Sequence, residues 1–238
     1  MSSAETRIVI IPSFDTGPVL QRTVAEARRA WHSVLLVVDG STDGSDHGLD
    51  GCVLRRAVNG GKGAAVHDGL RRAAAHGFSH ALIMDADGQH PADSIAAMMA
   101  ASLAAPDAMI LGQPVFGAEA PWTRVQGRRV GNALTRRLTA GAELGDSLFG
   151  FRVYPIAPLL EIMARSSGMR RYDFDTEAVV RLSWRGIRAV TLPVPVRYLS
   201  PEQGGVSHFR YGRDNLLLAR MYLRLLPGWL ARRRGASR

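Results

Sequence analysis

LLVVDGSTDGSD, residues 35–46, supports two readings. Counted from Asp39 it is D-x-S-x-D-G, the opening of a helix-flanked calcium loop. Read from its left end it is a buried strand that runs into an acidic, glycine-rich turn. A calcium loop of that kind needs a preceding helix, an apolar eighth position and a bidentate Glu at the twelfth. Here the apolar run LLVV precedes it, Asp46 stands eighth and Asp50 twelfth. The strand reading holds, Asp43 reads as a cap of the turn, and a calcium-binding function is excluded.

Apolar runs of the same kind recur on both sides. RIVIIPSF (7–14), SVLLVVDG (33–40), CVLRRAV (52–58), HALIMDAD (80–87) and AMILGQPVF (108–116) are strand candidates. Helical patterns at 18–31, about 62–76 and about 92–104 separate them. Continuous rather than alternating apolarity marks strands covered on both faces. Strand–helix alternation then predicts an α/β fold with a doubly wound, mostly parallel sheet. Beyond about residue 117 the order changes: a basic helix (128–140), a short strand (150–155), a helix (174–186), a proline-bearing edge strand (187–198) and a last helix near 210–226. That helix is expected to set Leu216, Leu217, Met221 and Leu225 on one face and Arg213, Arg220 and Arg224 on another.

Ligands of such sheets sit beyond the carboxyl ends of the strands. Polar or small residues cluster there: Pro12-Ser13, Asp39-Gly40, Asn59-Gly60-Gly61-Lys62 and Asp85-Ala86-Asp87. The GGKGAAVHDG turn (60–69) opens a helix but is not a Walker loop, because Arg56 stands where the first Gly belongs and Gly63 follows Lys62. It offers a lysine at a helix N-terminus, suited to a diphosphate. In DADGQHP (85–91), Asp85 and Asp87 lie two apart and repel unless a cation joins them. Gln89 adds a third oxygen and His90 a nitrogen, and hard oxygens favour Mg²⁺ or Mn²⁺ over zinc. Asp146, in DSLFGFR (146–152), is a lone loop carboxylate. Arg128, Arg129, Arg136, Arg137 and Arg197 have the bidentate geometry that phosphate wants.

The 238 residues carry a net charge of +9, of which Arg210–Arg238, with eight Arg and one Asp, holds +7. An anionic partner follows: nucleic acid, a phosphorylated small molecule or an anionic membrane. Zinc-finger spacings and aromatic RNA-binding strings are missing, so nucleic acid is not expected. LLLARMYLRLLPGWLARRRGASR (216–238) is basic and amphipathic, suited to peripheral membrane contact or to docking on the core. No apolar run is long enough to span a bilayer, and MSSAETRIVIIPSF has no long apolar segment before a cleavage site. With one cysteine, Cys52, a cytoplasmic chain is expected, peripheral on the inner face of the membrane if the tail binds lipid.

IVIIPSF, VVDGSTDGS, NGGKGAAVHDG, DADGQHP, DSLFGFR and VSHFR, in this order and spacing, resemble the family 2 glycosyltransferases. The branch they resemble transfers sugars to polyprenyl phosphates, as the dolichyl-phosphate-mannose synthases do. The resemblance covers roughly residues 7–215 and implies a GT-A fold, Rossmann-like, with a metal-dependent inverting transfer from a nucleotide-sugar. It implies nucleotide contacts at Pro12, Ser13, Asp39, Lys62 and Ala86, and a metal on Asp85, Asp87 and Gln89. It places Asp146 near the reacting centre, Arg197 on the diphosphate, and Arg128 and Arg136 on an acceptor phosphate. The expected organisation is a glycosyltransferase domain over 1–209, with a nucleotide part (7–116) and an acceptor part (117–209), then a basic helix and tail (210–238). Val38 stands where the family writes an acid, leaving UDP and GDP both open, and Ser207-His208 replaces the branch's Ser-Lys. A phosphate acceptor needs no strong base. A hydroxyl acceptor needs a carboxylate, for which Asp146 ranks ahead of Asp175 and Glu177. A sugar-phosphate nucleotidyltransferase is the lesser alternative, since PSFDTGPVL lacks the basic loop that chemistry uses.

Overall fold

The computed structural model describes residues 6–116, 122–196 and 211–236. A seven-stranded sheet forms its centre: β1 (Arg7–Ser13), β2 (Val34–Asp39), β3 (Val53–Arg56), β4 (His80–Ile83), β5 (Ala108–Val115), β6 (Arg152–Pro155) and β7 (Arg188–Pro195). Their order is β3-β2-β1-β4-β6-β5-β7. All neighbours run parallel except β6, which is antiparallel to both β4 and β5. This is the expected GT-A arrangement. Pro193 and Pro195 lie on the β7 edge, where missing N–H groups blunt further pairing.

Alternation along β1 sorts the core. Ile8 and Ile10 face one layer, Val9 and Ile11 the other, and all four are buried. Burying each such side chain contributes about 1.5–3 kcal/mol. Helices α1 (Val19–Ala30) and α3 (Ile95–Ala104) cover the second face, α3 entered through a single 3₁₀ turn, Ala92–Ser94. Helices α2 (Lys62–Ala75), α5 (Ile156–Ala164), α6 (Asp173–Trp184) and α7 (Tyr211–Ala236) cover the first. Helix α4 (Trp122–Leu138) packs on α6 and α7. Along α1 the buried positions Val19, Leu20, Thr23, Val24 and Ala27 form one stripe, and Arg28 and Arg29 complement the dipole in the last turn.

Two features position the site. Strands β1, β2 and β3 step outward in one direction, whereas β4 returns to the other side of β1. The switch point between β1 and β4 opens a crevice at their carboxyl ends. Because β6 is reversed, Arg152 pairs with Ile83, so the DSLFGF turn arrives at that same edge. Residues 122–196 therefore share the sheet of residues 7–116 through β6 and β7.

Several expectations need correction. Strand β4 ends at Ile83, so Asp85 lies past its end and Asp87 in the turn that follows, not in one extended strand. Helix α5 had no forecast, because Pro158 inside IAPLLEIMA masks its apolar stripe. Helix α7 runs through Pro227 to Ala236 and is docked by Met221 and Leu225, both fully buried. Leu216 lies exposed, and Arg224 turns inward onto Asp173 and Glu177. No described helix is long and apolar enough to cross a membrane.

Candidate active site

A cavity of about 1580 Å³ opens at the carboxyl ends of β1, β2 and β4. Pockets for one small ligand are about 300–1,000 Å³, so this one holds room for two substrates. Pro12, Ser13, Asp39, Lys62, Ala86 and Arg128 all line it, as do Asp85, Asp87 and Gln89. One space thus gathers nine of the twelve residues named from the sequence. Asp146 is buried just behind the wall, Arg136 is exposed on α4 away from it, and Arg197 lies outside the described residues, as does Ser207-His208.

Asp39 is already engaged. Its carboxylate accepts the N–H groups of Gly60 (3.0 Å) and Gly61 (2.7 Å) and pairs with the Arg56 guanidinium. Arg56 in turn holds Asp68 at 2.8 Å. Asp39 therefore fixes the glycine turn, and the turn amides that a phosphate loop would offer to a ligand face a carboxylate instead. Val38 packs into the α1/α3 core layer, away from the cavity. The rest of the acidic turn is knitted to the loop after β1: Asp43 accepts from Gly17 (2.8 Å) and from Ser45, and Thr42 donates to Asp15. Burial raises the Asp43 carboxyl, but those donors outweigh it and hold the group below its usual range. Asp43 caps the turn, as expected.

At the centre lies a charge cluster. The Lys62 ammonium sits 2.7 Å from Asp85 and 2.8 Å from Asp175. Burial pushes the lysine down, and the two carboxylates more than reverse this, so it stays charged. Gly150 forms the cluster's floor: a Cβ there would stand 2.5 Å from Lys62 Nζ and 3.1 Å from an Asp85 oxygen. That is the reason for glycine between Phe149 and Phe151. Asp175 Oδ1 is buried without a hydrogen-bond partner and its residue lines the cavity. Asp146 is spoken for on both oxygens, by Arg128 (2.9 Å) and the Leu148 N–H (2.9 Å). Glu177 is fully buried and bonded to Ser166, Arg181 and Arg224, off the cavity. Of Asp146, Asp175 and Glu177, Asp175 is the one that lines the cavity.

Arg152 explains how both loops stay in place. Fully buried on β6, it donates to the carbonyls of Asp146 and Asp175 and to the Tyr154 hydroxyl. Asn132 on α4 also accepts from the N–H and hydroxyl of Ser147. Arg171, Tyr172 and Arg213 line the cavity too. Arg213 belongs to the basic tail already singled out, whereas nothing in the local pattern of Arg171 and Tyr172 separates them from surface residues.

His90 is not a metal ligand here. Its Nδ1 accepts the Asp85 N–H at 3.0 Å, its ring packs on Phe149 and Phe151, and Nε2 stands 3.7 Å from the Asp85 carboxylate. It orients Asp85. Burial lowers its pKa to about 4, against about 6.5 when unfolded. Between those values the unfolded chain binds the extra proton, so stability is full above about pH 6.5 and declines as pH falls towards 4. The loss is about 3 kcal/mol. Urea unfolding of the metal-free protein at pH 7 and pH 4.5 should show it, and His90→Gln should remove most of the difference; an equal pH dependence in the variant would refute the assignment.

Away from the charges, the cavity continues as a groove between α4 and α7, lined by Val130, Leu134, Leu148, Leu218, Leu223 and Leu226. Tyr222 ties its walls by donating to the Gly131 carbonyl at 3.1 Å. Leu216, Leu223 and Leu230, seven apart, form an exposed apolar stripe on α7. The Trp229 indole donates to the Arg137 carbonyl, and Arg137 and Arg233 lie over its ring.

The sequence is 28% identical over 213 residues to the polyprenol monophosphomannose synthase of Mycolicibacterium smegmatis (strain ATCC 700084 / mc(2)155), covering 83% of this chain and 78% of that one. Among solved structures, glucosyl-3-phosphoglycerate synthase from Mycobacterium tuberculosis with Mn²⁺, uridine-diphosphate and phosphoglyceric acid superposes with a TM-score of 0.65 at 16% identity, covering 94% of this chain and 78% of that one. The same enzyme with UDP-glucose, Mn²⁺ and phosphoglyceric acid gives 0.62 at 16% identity over 92% and 79%. The model of glycosyl transferase family 2 matches residues 8–162, and with the nucleotide-sugar type of sheet around this cavity the chain belongs to that family: it is a glycosyltransferase of GT-A fold.

Proposed function

We propose that this enzyme transfers a sugar, with inversion, from a nucleotide-sugar to an acceptor that joins a phosphate to an apolar chain, a polyprenyl phosphate or a close analogue. What supports the reading is the continuity of one cavity, charged at the sheet edge and apolar between α4 and α7. Its relative from Mycolicibacterium smegmatis is a polyprenol monophosphomannose synthase. A groove of leucine and valine side chains suits a hydrocarbon and offers nothing to a small polar acceptor. The exposed stripe of α7, next to the triple arginine 232–234, would let the chain rest on an anionic bilayer where such an acceptor resides.

In this reading the nucleoside lies by Pro12, Ser13 and Phe14, with Asp39 holding the turn that carries Lys62. Asp85, Asp87 and Gln89 fit a Mg²⁺ or Mn²⁺ ion. They are hard oxygen donors that open onto the cavity, and a diphosphate would complete the shell. Such an ion supplies charge stabilisation to the leaving diphosphate. Lys62 lies where it meets the same charge. Arg128, held by Asp146 and lying 5.4 Å from the Phe116 ring centre, presents its guanidinium to the acceptor phosphate. The acceptor oxygen forms its bond to the sugar's anomeric carbon from the face opposite the departing diphosphate oxygen.

A hydroxyl acceptor is the second reading, and one observation favours it. Asp175 Oδ1 is buried and unpartnered at the cavity wall, a place where a base could take a proton.

The test is transfer from a panel of UDP- and GDP-sugars to polyprenyl phosphate in anionic liposomes, set against 3-phosphoglycerate and simple alcohols. Leu134→Glu with Leu223→Glu should cut transfer to the lipid at least tenfold, since a carboxylate set against hydrocarbon costs more than the about 1–3 kcal/mol of a neutral polar group. Binding of the nucleotide-sugar should stay as it was. Undiminished lipid transfer by the double variant, or transfer to alcohols alone, would reject the lipid groove.

A further inference from the structure

The Lys62–Asp85–Asp175 cluster does something that a nucleotide contact does not require. Lys62 is the first residue of α2, and its side chain crosses to the end of β4. Its ammonium lies against Asp85 Oδ1 at 2.7 Å and Asp175 Oδ2 at 2.8 Å, largely screened from water. Gly150 closes the slot from below, so the three charges cannot spread in that direction. Asp85 is also one of the two carboxylates read above as metal-holding. One face of that carboxylate is thus occupied by a fixed positive charge.

A divalent cation approaching Asp85 meets that ammonium at short range, where like charges repel strongly in a poorly solvated site. A diphosphate reverses the balance, because it brings negative charge to the cation and the lysine together. Lys62 lines the cavity and can turn to it. In the resting cluster Asp175 Oδ2 holds the ammonium at 2.8 Å, which leaves Oδ1 without a hydrogen-bond partner. His90 fixes the Asp85 backbone N–H throughout.

We propose that Lys62 is the resting counter-ion of Asp85, bridging it to Asp175, and that the donor's diphosphate draws it away and so admits the divalent cation. Metal and donor then enter as a coupled pair, and the nucleotide-free enzyme holds metal poorly. This rests on the reading of Asp85, Asp87 and Gln89 as the metal site, and it assigns Asp175 a positioning role where the acceptor is a phosphate.

Mn²⁺ binding, followed by the electron paramagnetic resonance of the free ion, tests this without turnover. Nucleotide-free wild type should bind weakly, and UDP or GDP should tighten it. Lys62→Met should bind Mn²⁺ about tenfold more tightly than wild type without nucleotide, and nucleotide should then add much less, a coupling of ordinary size. Lys62→Arg should behave as wild type. If Lys62→Met fails to fold by circular dichroism, Lys62→Gln takes its place, and equal Mn²⁺ affinity of wild type with and without nucleotide overturns the proposal by itself. Unchanged or weaker Mn²⁺ binding by a folded Lys62 variant also overturns it. Failure of the metal assignment looks different: Asp87→Ala would then bind Mn²⁺ as well as wild type does.

Discussion

Gly63→Ala lowers the stability of this enzyme by about 2 kcal/mol, although it exchanges a helical glycine for the best helix former. In an open helix the change would gain about 1 kcal/mol. Gly63 is the second residue of α2 and packs against the loop that leads into α6. A Cβ there would press on the Met169 carbonyl oxygen, with the Met169 carbonyl carbon at 2.8 Å and Phe174 Cβ at 2.9 Å. Backbone cannot swing aside as a side chain does. Overpacking of this kind costs typically 1–3 kcal/mol and occasionally more, which exceeds the helix gain. For a chain of this size the expected fall in Tm is about 4–8 °C. The loop also cannot retreat freely, because the Arg170 carbonyl accepts the Ala64 N–H and Asp173 holds the N–H groups of Met169 and Arg171. Gly212→Ala is the control: it is helical, and a Cβ there meets nothing within 4 Å. Calorimetry that shows Gly63→Ala as stable as Gly212→Ala would remove the close-approach argument.

Gly63 also shows where sequence reading stops. NGGKGAAVHDG reads as a glycine turn before a helix, and as the end of a strand in a wound sheet it belongs beside the cavity. What each glycine meets was not legible, since Met169 and Phe174 lie more than 100 positions away. The same limit separates the other successes from the other misses. Apolar runs revealed the strands, and strand ends in a wound sheet must meet at one edge, so Pro12, Asp39, Lys62 and Asp85 could be grouped without coordinates. Whether a carboxylate at that edge was open or engaged depended on partners distant in sequence. Asp39 is engaged by Gly60, Gly61 and Arg56, and Asp146 by Arg128 and Leu148. Asp175, named only as a reserve, turned out to hold the unpartnered oxygen. The reversal of β6, which carries Gly150 under Lys62, leaves no mark on the periodicity of RVYP. The α4–α7 groove was equally hidden. Its leucines looked like the apolar stripe of a docked helix, and only the packing of Met221 and Leu225 shows which of them the core uses and which it leaves to the groove.

Asp87→Ala should lower kcat/KM about 10³-fold, the loss expected when preorganised charge is taken from a leaving group. Asp87 is the cleaner of the two acidic positions to test. Asp85 carries the Lys62 contact and sits beside His90, so its removal would also leave a buried lysine with one partner fewer. Asp87→Ala leaves the Lys62–Asp85–Asp175 cluster intact. Its side chain accepts the Gln89 N–H at 3.0 Å, a bond of about 1 kcal/mol. The ligand-free Tm and circular dichroism of the variant show whether it is folded, so that a drop in activity can be separated from unfolding. The signature is in the metal dependence. Mn²⁺ should raise the Tm of wild type further when a nucleotide-sugar is present, whereas the variant's response should be the same with and without the ion. KM for the donor should rise and kcat should fall together, because the diphosphate is gripped in the ground state and more strongly as its charge builds. Activity within about tenfold of wild type, with the Mn²⁺ dependence preserved, would take the metal away from this turn. The charge on the leaving group would then fall to Lys62 and to the arginines that line the cavity, Arg128, Arg171 and Arg213. A cation-only site of that kind would be indifferent to chelators, and EDTA treatment of the wild-type enzyme distinguishes the two before any variant is made.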